Sequence, residues 1–421
     1  MIHKVNSNIL SQRLLLDMRE SAVATNLRSL RSPFVLALLT AFFSSTIFGV
    51  VFPVALLGIA STFGVTVGTA SQISAVASAV SVFFALLMSV FSIRFDHKKL
   101  LLLGITCIIL AALGSALAPT FDVMQIVFAL SGIGGVIIGT ITYTLIGDFL
   151  PIEQRGKAVG LTVAVQSGAF IVGSPLASCI IIFSNWQAAF LWSVVPISVL
   201  GLIISYYAIP SKLHSAPVSN SYLSGIRAVA LDKSAMACLI ASMLSIASTA
   251  MGIYIVAFYN SQFNMPITFG AALIMVGAII SVVGGIVAGL LINWRGRKGS
   301  IALAGTIATI FGTGFIFAPE LWTSVTLRNI SMFFGAITMT SFASLSLEQA
   351  PKFRATMMSL TSAVLAIGGF LGAFIGSITL NLYNYQFLAL ILGALSVASI
   401  AIIILWTKEP PKHPNNPTTN Q

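Results

Sequence analysis

One arginine lies inside an apolar run, and its chemistry has to be accounted for first. Arg328 interrupts the stretch 324–346, and a guanidinium in hydrocarbon is costly enough to be functional by default. It offers a fixed positive charge and a fork of donors. Three readings follow: an anion-binding group, a gating partner for Asp122 or Glu320, or a side chain that snorkels to the nearby interface. Asn329 adds an amide beside it. Nothing suited to bond-making accompanies the pair. The ten acids, Asp17, Glu20, Asp96, Asp122, Asp148, Glu153, Asp232, Glu320, Glu348 and Glu409, all avoid the centres of apolar runs, and so do His3, His97, His214 and His413. Cys107, Cys179 and Cys238 sit singly within such runs, so no disulfide framework is expected. No Gly-x-x-x-x-Gly-Lys-Ser/Thr loop for nucleotide phosphates occurs. Recognition and passage of a small molecule fit this inventory; an enzyme, a cofactor site or a metal site does not.

The elements that must position Arg328 follow from composition. Of 421 residues 57% are hydrophobic and 7% charged, with a mean hydropathy of +1.01. Soluble domains carry about 25% charged residues, so lipid is the solvent for most of this chain. A nucleic-acid-binding or disordered protein is excluded despite the net charge of +11. Spanning the bilayer takes roughly 20 apolar residues. Twelve such runs are predicted, near 34–58, 70–92, 100–118, 124–147, 157–183, 188–209, 235–258, 268–292, 300–318, 324–346, 355–380 and 386–407. The runs lack the alternation of barrel strands. The fold class is an all-α membrane protein with twelve transmembrane helices in two pseudo-symmetric six-helix halves.

The basic residues orient it. Twenty of the 21 Lys and Arg fall in the amino-terminal segment, in the loops after spans 2, 4, 6, 8 and 10, or in the tail. The other loops hold none, and Arg328 is the exception. The positive-inside rule places both termini in the cytoplasm of a multi-pass protein of the cell (inner) membrane. The predicted organisation is a cytoplasmic segment 1–33, a first half 34–209, a central loop 210–234, a second half 235–407 and a disordered tail 408–421. No secretory signal is expected in 1–33; this stretch reads as a basic retention segment, or as an amphipathic helix over 14–30.

The halves echo each other two hundred residues apart. Ala118-Pro119 recurs as Ala318-Pro319, Asp148 as Glu348 and Pro151 as Pro351. One residue less separates Arg155 from Arg354, Gly173 from Gly372, Asn185 from Asn384 and Gln187 from Gln386. Six spans per repeat give two halves related by an axis along the membrane normal, as in carriers that rock two halves about a central site.

Three turns carry a family resemblance. Gly289-Leu-Leu-Ile-Asn293-Trp-Arg295-Gly296-Arg297-Lys298 resembles the loop Gly-x-x-x-Asp-Arg/Lys-x-Gly-Arg-Arg/Lys of the major facilitator superfamily, with Asn293 for Asp and Trp294 for the basic residue. The first-half counterpart, Ser89 to Lys99, is degenerate: Ile93 stands where Asp is expected, and Asp96 is its partial substitute. Asp148-Phe-Leu-Pro151-Ile-Glu-Gln-Arg155-Gly156-Lys-Ala158 and Trp186-Gln187-Ala-Ala-Phe190 resemble the family's turns before spans 5 and 6. Gly168, Gly173 and Pro175 loosely resemble the span 5 motif of its drug- and metabolite-exporting branch, where the proline falls one position earlier.

The resemblance implies a monomeric carrier in the lipid bilayer, moving a small organic molecule by alternating access, with spans 1, 4, 7 and 10 lining the cavity. Export is the direction it suggests; an organic-anion importer using Arg328 and a non-transporting sensor or scaffold are the alternatives. Candidate substrate contacts are Arg328, Asn329, Tyr143, Gln166, Gln72 and Tyr254, with Phe42, Phe43 and Phe48 as apolar neighbours. Arg328 matches Phe128 in the repeat, where exporters of the family often carry their span 4 arginine. At the cytoplasmic face, Arg94, Asp96, Lys98, Asp148 and Arg155 form one expected gate network. Gly289, Asn293, Arg295, Gly296, Arg297, Lys298, Glu348 and Arg354 form its twin. Charge-assisted bonds there would latch the inner side. With no acid in mid-span to carry a raised pKa, uniport or coupling through the substrate is as ready a reading as proton antiport.

Overall fold

In a computed structural model the chain is described over residues 32–210, 227–350 and 354–409. Nearly all of the expected amino-terminal segment, most of the central loop and most of the tail lie outside the described residues, as do the side chains of Arg94, Asp148 and Arg354. The described chain consists of helices joined by short turns. They are α1 (Pro33–Phe63), α2 (Val67–Arg94), α3 (His97–Leu117), α4 (Phe121–Phe149), α5 (Ile152–Phe183) and α6 (Trp186–Ala208), then α7 (Lys233–Phe263), α8 (267–295), α9 (297–317), α10 (Leu321–Gln349), α11 (Arg354–Leu382) and α12 (Tyr385–Trp406).

Two of these differ from the run lengths expected. Residues Ile267–Phe317 are helical throughout except at Gly296, whose φ of 80° and ψ of 173° break the rod. Its 51 residues would measure about 77 Å as one helix, far beyond a bilayer, so the break yields two crossings. The loop expected between them shrinks to one glycine, because only glycine takes this left-handed backbone without strain. α7 runs to Phe263 and is interrupted by a 3-10 turn at Ser248–Ala250. There Ser248 and Thr249 hydroxyls donate to the carbonyls of Ser245 and Ile246, a local bonding that competes with the helix ladder.

Side-chain caps fix where most helices begin, and they recur in the repeat at α1/α7 and α6/α12. Thr66 and Thr120, which cap α2 and α4, have no capping counterpart at Pro266 and Glu320. Ser32 and Asp232 cap α1 and α7, while Asn185 and Asn384 cap α6 and α12 by accepting from the amides of Ala188 and Phe387. Each satisfies an amide that the first helical turn leaves without a partner. Close packing repeats too. A Cβ at Gly173 would strike Ile47 of α1, and one at Gly372 would strike Ala247 and Ala250 of α7.

The turns alternate between two ends of the bundle. One end gathers the basic turns after α2, α4, α6, α8 and α10 (the basic end); the other, at turns such as 64–66, 184–185 and 383–384, carries none (the neutral end). At the neutral end the first six helices are bonded to the last six. Thr66 Oγ1 donates to Asn381 Oδ1 at 2.5 Å, Thr69 Oγ1 to the same oxygen at 3.2 Å, and Ser377 Oγ to the Gly68 carbonyl at 2.9 Å. Tyr254 OH donates to Ser71 Oγ at 2.8 Å, and Ser174 Oγ, on α5, to the Ala271 carbonyl of α8 at 3.0 Å. Among the described residues, no hydrogen bond joins the two sets of helices at the basic end. The buried core divides the same way. One cluster runs from Leu38, Ile59 and Ile73 through Phe190 to Tyr254, Phe258 and Phe315, whereas Ala235, Cys238, Ile301, Leu345 and Ile403 form a separate cluster at the basic end of the last six helices.

Candidate functional site

α10 and α8 hold Arg328 between them. Its side chain is 4% exposed. Nη1 donates to the Leu273 carbonyl of α8 at 3.0 Å and to Asn329 Oδ1 at 3.4 Å, while Nε is buried without a partner. Space for the guanidinium comes from Gly277: a Cβ there would lie 3.1 and 3.2 Å from the two terminal nitrogens. Gly284 opens the same interface two turns further along α8, where a Cβ would meet the Phe333 carbonyl at 2.5 Å. The charge is thus held by a backbone dipole inside a glycine notch. It forms no ion pair with Asp122 or Glu320, both exposed, and its burial between helices differs from snorkelling to an interface.

The other candidate contacts are dispersed. Tyr143 is 44% exposed on α4 with its ring edge-on to Phe42 of α1 at 6.1 Å. Gln166 is exposed on α5, and Gln72 is half-buried on α2. Tyr254 is fully buried and belongs to the neutral-end bonding through Ser71. Asn329 lines a groove of about 340 Å³ between α8 and α10, with Ile280, Thr326, Ile330, Phe333 and Phe334.

At the basic end Arg297 Nη2 meets Glu348 Oε1 at 3.5 Å, and its Nε donates to Ser344 Oγ at 2.9 Å. Arg295 does not join them; it lies over the Trp294 ring at 4.7 Å. Asn293 is exposed, and Gly289 has open space around it. Lys298 Nζ turns to the Thr407 carbonyl at 2.9 Å. In the first half Asp96 caps α3 by accepting from the Lys98 amide at 3.1 Å, and the Lys98 ammonium sits 4.9 Å from the Tyr206 ring centroid. Arg155 Nε donates to the Leu150 carbonyl at 2.9 Å, which closes the end of α4.

Sequence reasoning missed the residues that only packing reveals. Gly277 was one glycine among 34. Lys408 and Glu409, which the sequence reading puts at the start of a disordered tail, are held against the bundle. The Lys408 amide donates to Ser234 Oγ at 2.7 Å, Gln349 Nε2 to the Lys408 carbonyl at 2.9 Å, and Ser234 Oγ to Gln349 Oε1 at 2.5 Å. The Glu409 carboxylate fills the space over Gly296 that a side chain would need. Residues 407–409 therefore strap the ends of α7 and α10 to the α8–α9 turn.

Twelve apolar helical crossings, with caps at Asn185 and Asn384 and close glycine contacts at Gly173 and Gly372 that recur between the halves, define an integral, multi-pass membrane protein. The family model "Major Facilitator Superfamily" matches residues 36–325 and 295–421, and the chain belongs to that superfamily. Its similarity to curated proteins is partial. It is 27% identical over 136 residues, 32% of this chain and 25% of the relative, to the uncharacterized MFS-type transporter YhcA of Bacillus subtilis (strain 168). It is 32% identical over 115 residues, 27% of this chain and 22% of the relative, to Multidrug resistance protein 3 of the same organism. The aligned stretch spans a quarter or less of these relatives' own length. Among solved structures, a mutant of the nucleoside transporter NupG superposes with a TM-score of 0.71 at 13% identity, covering 88% of this chain and 98% of that one. A bacterial homolog of the human lysosomal transporter Spinster, in an inward-facing and occupied conformation, gives 0.63 at 14%, covering 88% and 94%. At such identities the likeness concerns the fold.

Proposed function

We propose that this chain carries a small organic molecule across the cell membrane by alternating access, with the basic end cytoplasmic and the present conformation open to that side. The observation that carries the reading is the placement of cross-half bonding. Every hydrogen bond between the first and last six helices, among the described residues, lies at the neutral end. Two six-helix halves bonded at one end and, among the described residues, without a hydrogen bond between them at the other have one obvious alternative state, and switching between the two moves a bound solute. The bonds at the closed end are uncharged, so breaking them is cheap. The Arg297–Glu348 pair at the opposite end lies within the last six helices and ties α9 to α10 in that half.

Export of drugs or metabolites is the direction we favour. It rests on the stretch shared with Multidrug resistance protein 3 and on the loose span 5 motif around Gly168, Gly173 and Pro175. The membrane spans offer no acid in mid-run to carry a proton, so uniport or substrate-linked coupling is expected. A second reading, an organic-anion importer, draws on the Arg328 charge having no acidic partner among the described residues. It requires the guanidinium to leave Leu273, and it fails if anion affinity is unchanged in Arg328→Ala.

A thermal-shift screen on purified protein supplies a ligand, and uptake of that ligand into proteoliposomes then separates carrier from scaffold. Cysteines at Thr66 and Asn381, bridged by a bifunctional thiol reagent, should stop exchange while leaving the protein folded. Wild-type flux through the bridged protein would overturn alternating access. Flux that persists after the pH gradient is collapsed is expected, and strict dependence on it would restore proton coupling.

A further inference from the structure

We propose that Asn329 donates a hydrogen bond to the transported molecule, that Arg328 is the positioning residue that aims it, and that the molecule is a largely apolar, uncharged compound carrying a hydrogen-bond acceptor such as a carbonyl. The inference rests on the carrier reading and specifies its site.

The argument begins with the amide. Arg328 has only donors, so the oxygen of Asn329, not its nitrogen, must face Nη1. That fixes the flip of the amide and leaves Nδ2 as the group on offer, with no partner among the described residues. Asn329 lines the α8–α10 groove. The remaining lining is nearly all apolar: Ile280, Ile330, Phe333 and Phe334, with Thr326 donating its own hydroxyl back to the Trp322 carbonyl at 2.8 Å. The groove of about 340 Å³ around this single donor is shallow and open, and its apolar, aromatic lining suits an apolar body with one acceptor.

Charge narrows the class. Arg328 is enclosed, 4% exposed and engaged with Leu273, so it cannot itself reach a ligand in this state. Its positive charge beside the groove, with no acid in mid-span, disfavours organic cations. An anion is drawn by the same charge, but with the guanidinium turned to Leu273 and enclosed it would find only one neutral donor in the groove itself, which does not repay its desolvation in this state. A neutral acceptor on an apolar body meets both conditions.

The test uses the full chain in lipid nanodiscs and benzophenone, a neutral aromatic ketone that inserts into nearby C–H bonds on illumination. Adducts should map by mass spectrometry to residues 326–334 and to Ile280. Fluorenone, which keeps the carbonyl, should protect; fluorene, with the same rings and no carbonyl, should not. Asn329→Leu should lower labelling about five-fold, the worth of one hydrogen bond, and Ile280→Trp should abolish it by filling the groove while leaving Arg328 and Asn329 in place. Arg328→Lys should erase the preference for fluorenone over fluorene, a change that a merely structural role would not produce. The proposal is overturned if fluorene protects as well as fluorenone, if adducts lie elsewhere, or if Asn329→Leu labels like the wild type. Should Asn329→Leu fail to fold, the competition on wild type and Ile280→Trp still decide. No gradient or flux enters the measurement, so its failure leaves transport untouched. A protein that labels as expected but moves no ligand into proteoliposomes would sink the transport reading instead.

Discussion

Positions two hundred residues apart do the same structural job with opposite chemistry. Phe128 of α4 packs against Phe48, Phe52 and Phe190 with ring centroids 4.8, 5.0 and 6.2 Å away, whereas Arg328 of α10 carries a guanidinium to the Leu273 carbonyl. At the basic end Phe34 meets Phe149 edge-on at 5.9 Å, while their counterparts Ser234 and Gln349 share a hydrogen bond. The first half closes these positions with aromatic rings, the second with polar groups. A helix position in a repeat thus inherits its backbone path and its neighbours, but not the means by which it is held. The polar half is the one that can do chemistry, since rings offer neither a charge nor a docking point for residues 407–409.

The contrast breaks most severely if the chemistries are exchanged. Phe128→Arg should cost about 3–5 kcal/mol, because the aromatic cluster provides no carbonyl or acid for a buried charge; melting of the purified protein should fall accordingly or the variant should not accumulate. Stability close to wild type would mean that the first half can host a guanidinium after all. Next in size, Gly277→Ala should cost about 1–3 kcal/mol by pushing the guanidinium off Leu273, and most of that loss should vanish in an Arg328→Met background. Additive losses in the double mutant would dissolve the notch. Ser234→Ala removes one hydrogen bond to the strap, from the Lys408 amide, and one to Gln349, and should cost about 1–2 kcal/mol, accompanied by faster amide exchange at Lys408. Unaltered exchange there would show that the strap is held by other means. The smallest effect belongs to Glu348→Gln. Its pair with Arg297 is about a quarter exposed, and such pairs contribute up to about 1 kcal/mol, so melting should barely move. A loss of several kcal/mol would make this pair a structural keystone of the half.

How much of this was legible beforehand varies with the range of the interaction. The helix count followed from the length of apolar runs, and the caps at Asn185 and Asn384 followed the repeat, since both depend on residues close in sequence. The basic turns were legible as a set, yet their partners were not. Arg295, Arg297 and Lys298 are near neighbours in one loop, but they turn to Trp294, to Glu348 and to the Thr407 carbonyl respectively. Gln166 and Tyr143 were named for their polarity and their helices, and helix identity does not say that they stand apart from Asn329.

By itself, then, the sequence determined the solvent, the number of crossings, the internal repeat and the presence of one costly charge, because hydrophobic period and composition are local properties. Tertiary structure decided which end of the bundle is bonded across the halves, that Gly277 makes room for Arg328, and that Asn329 rather than the arginine faces a groove. Those outcomes depend on distances between helices remote in the chain, set by how glycines and side chains of α8 and α10 fit together, and no spacing along a single run encodes them.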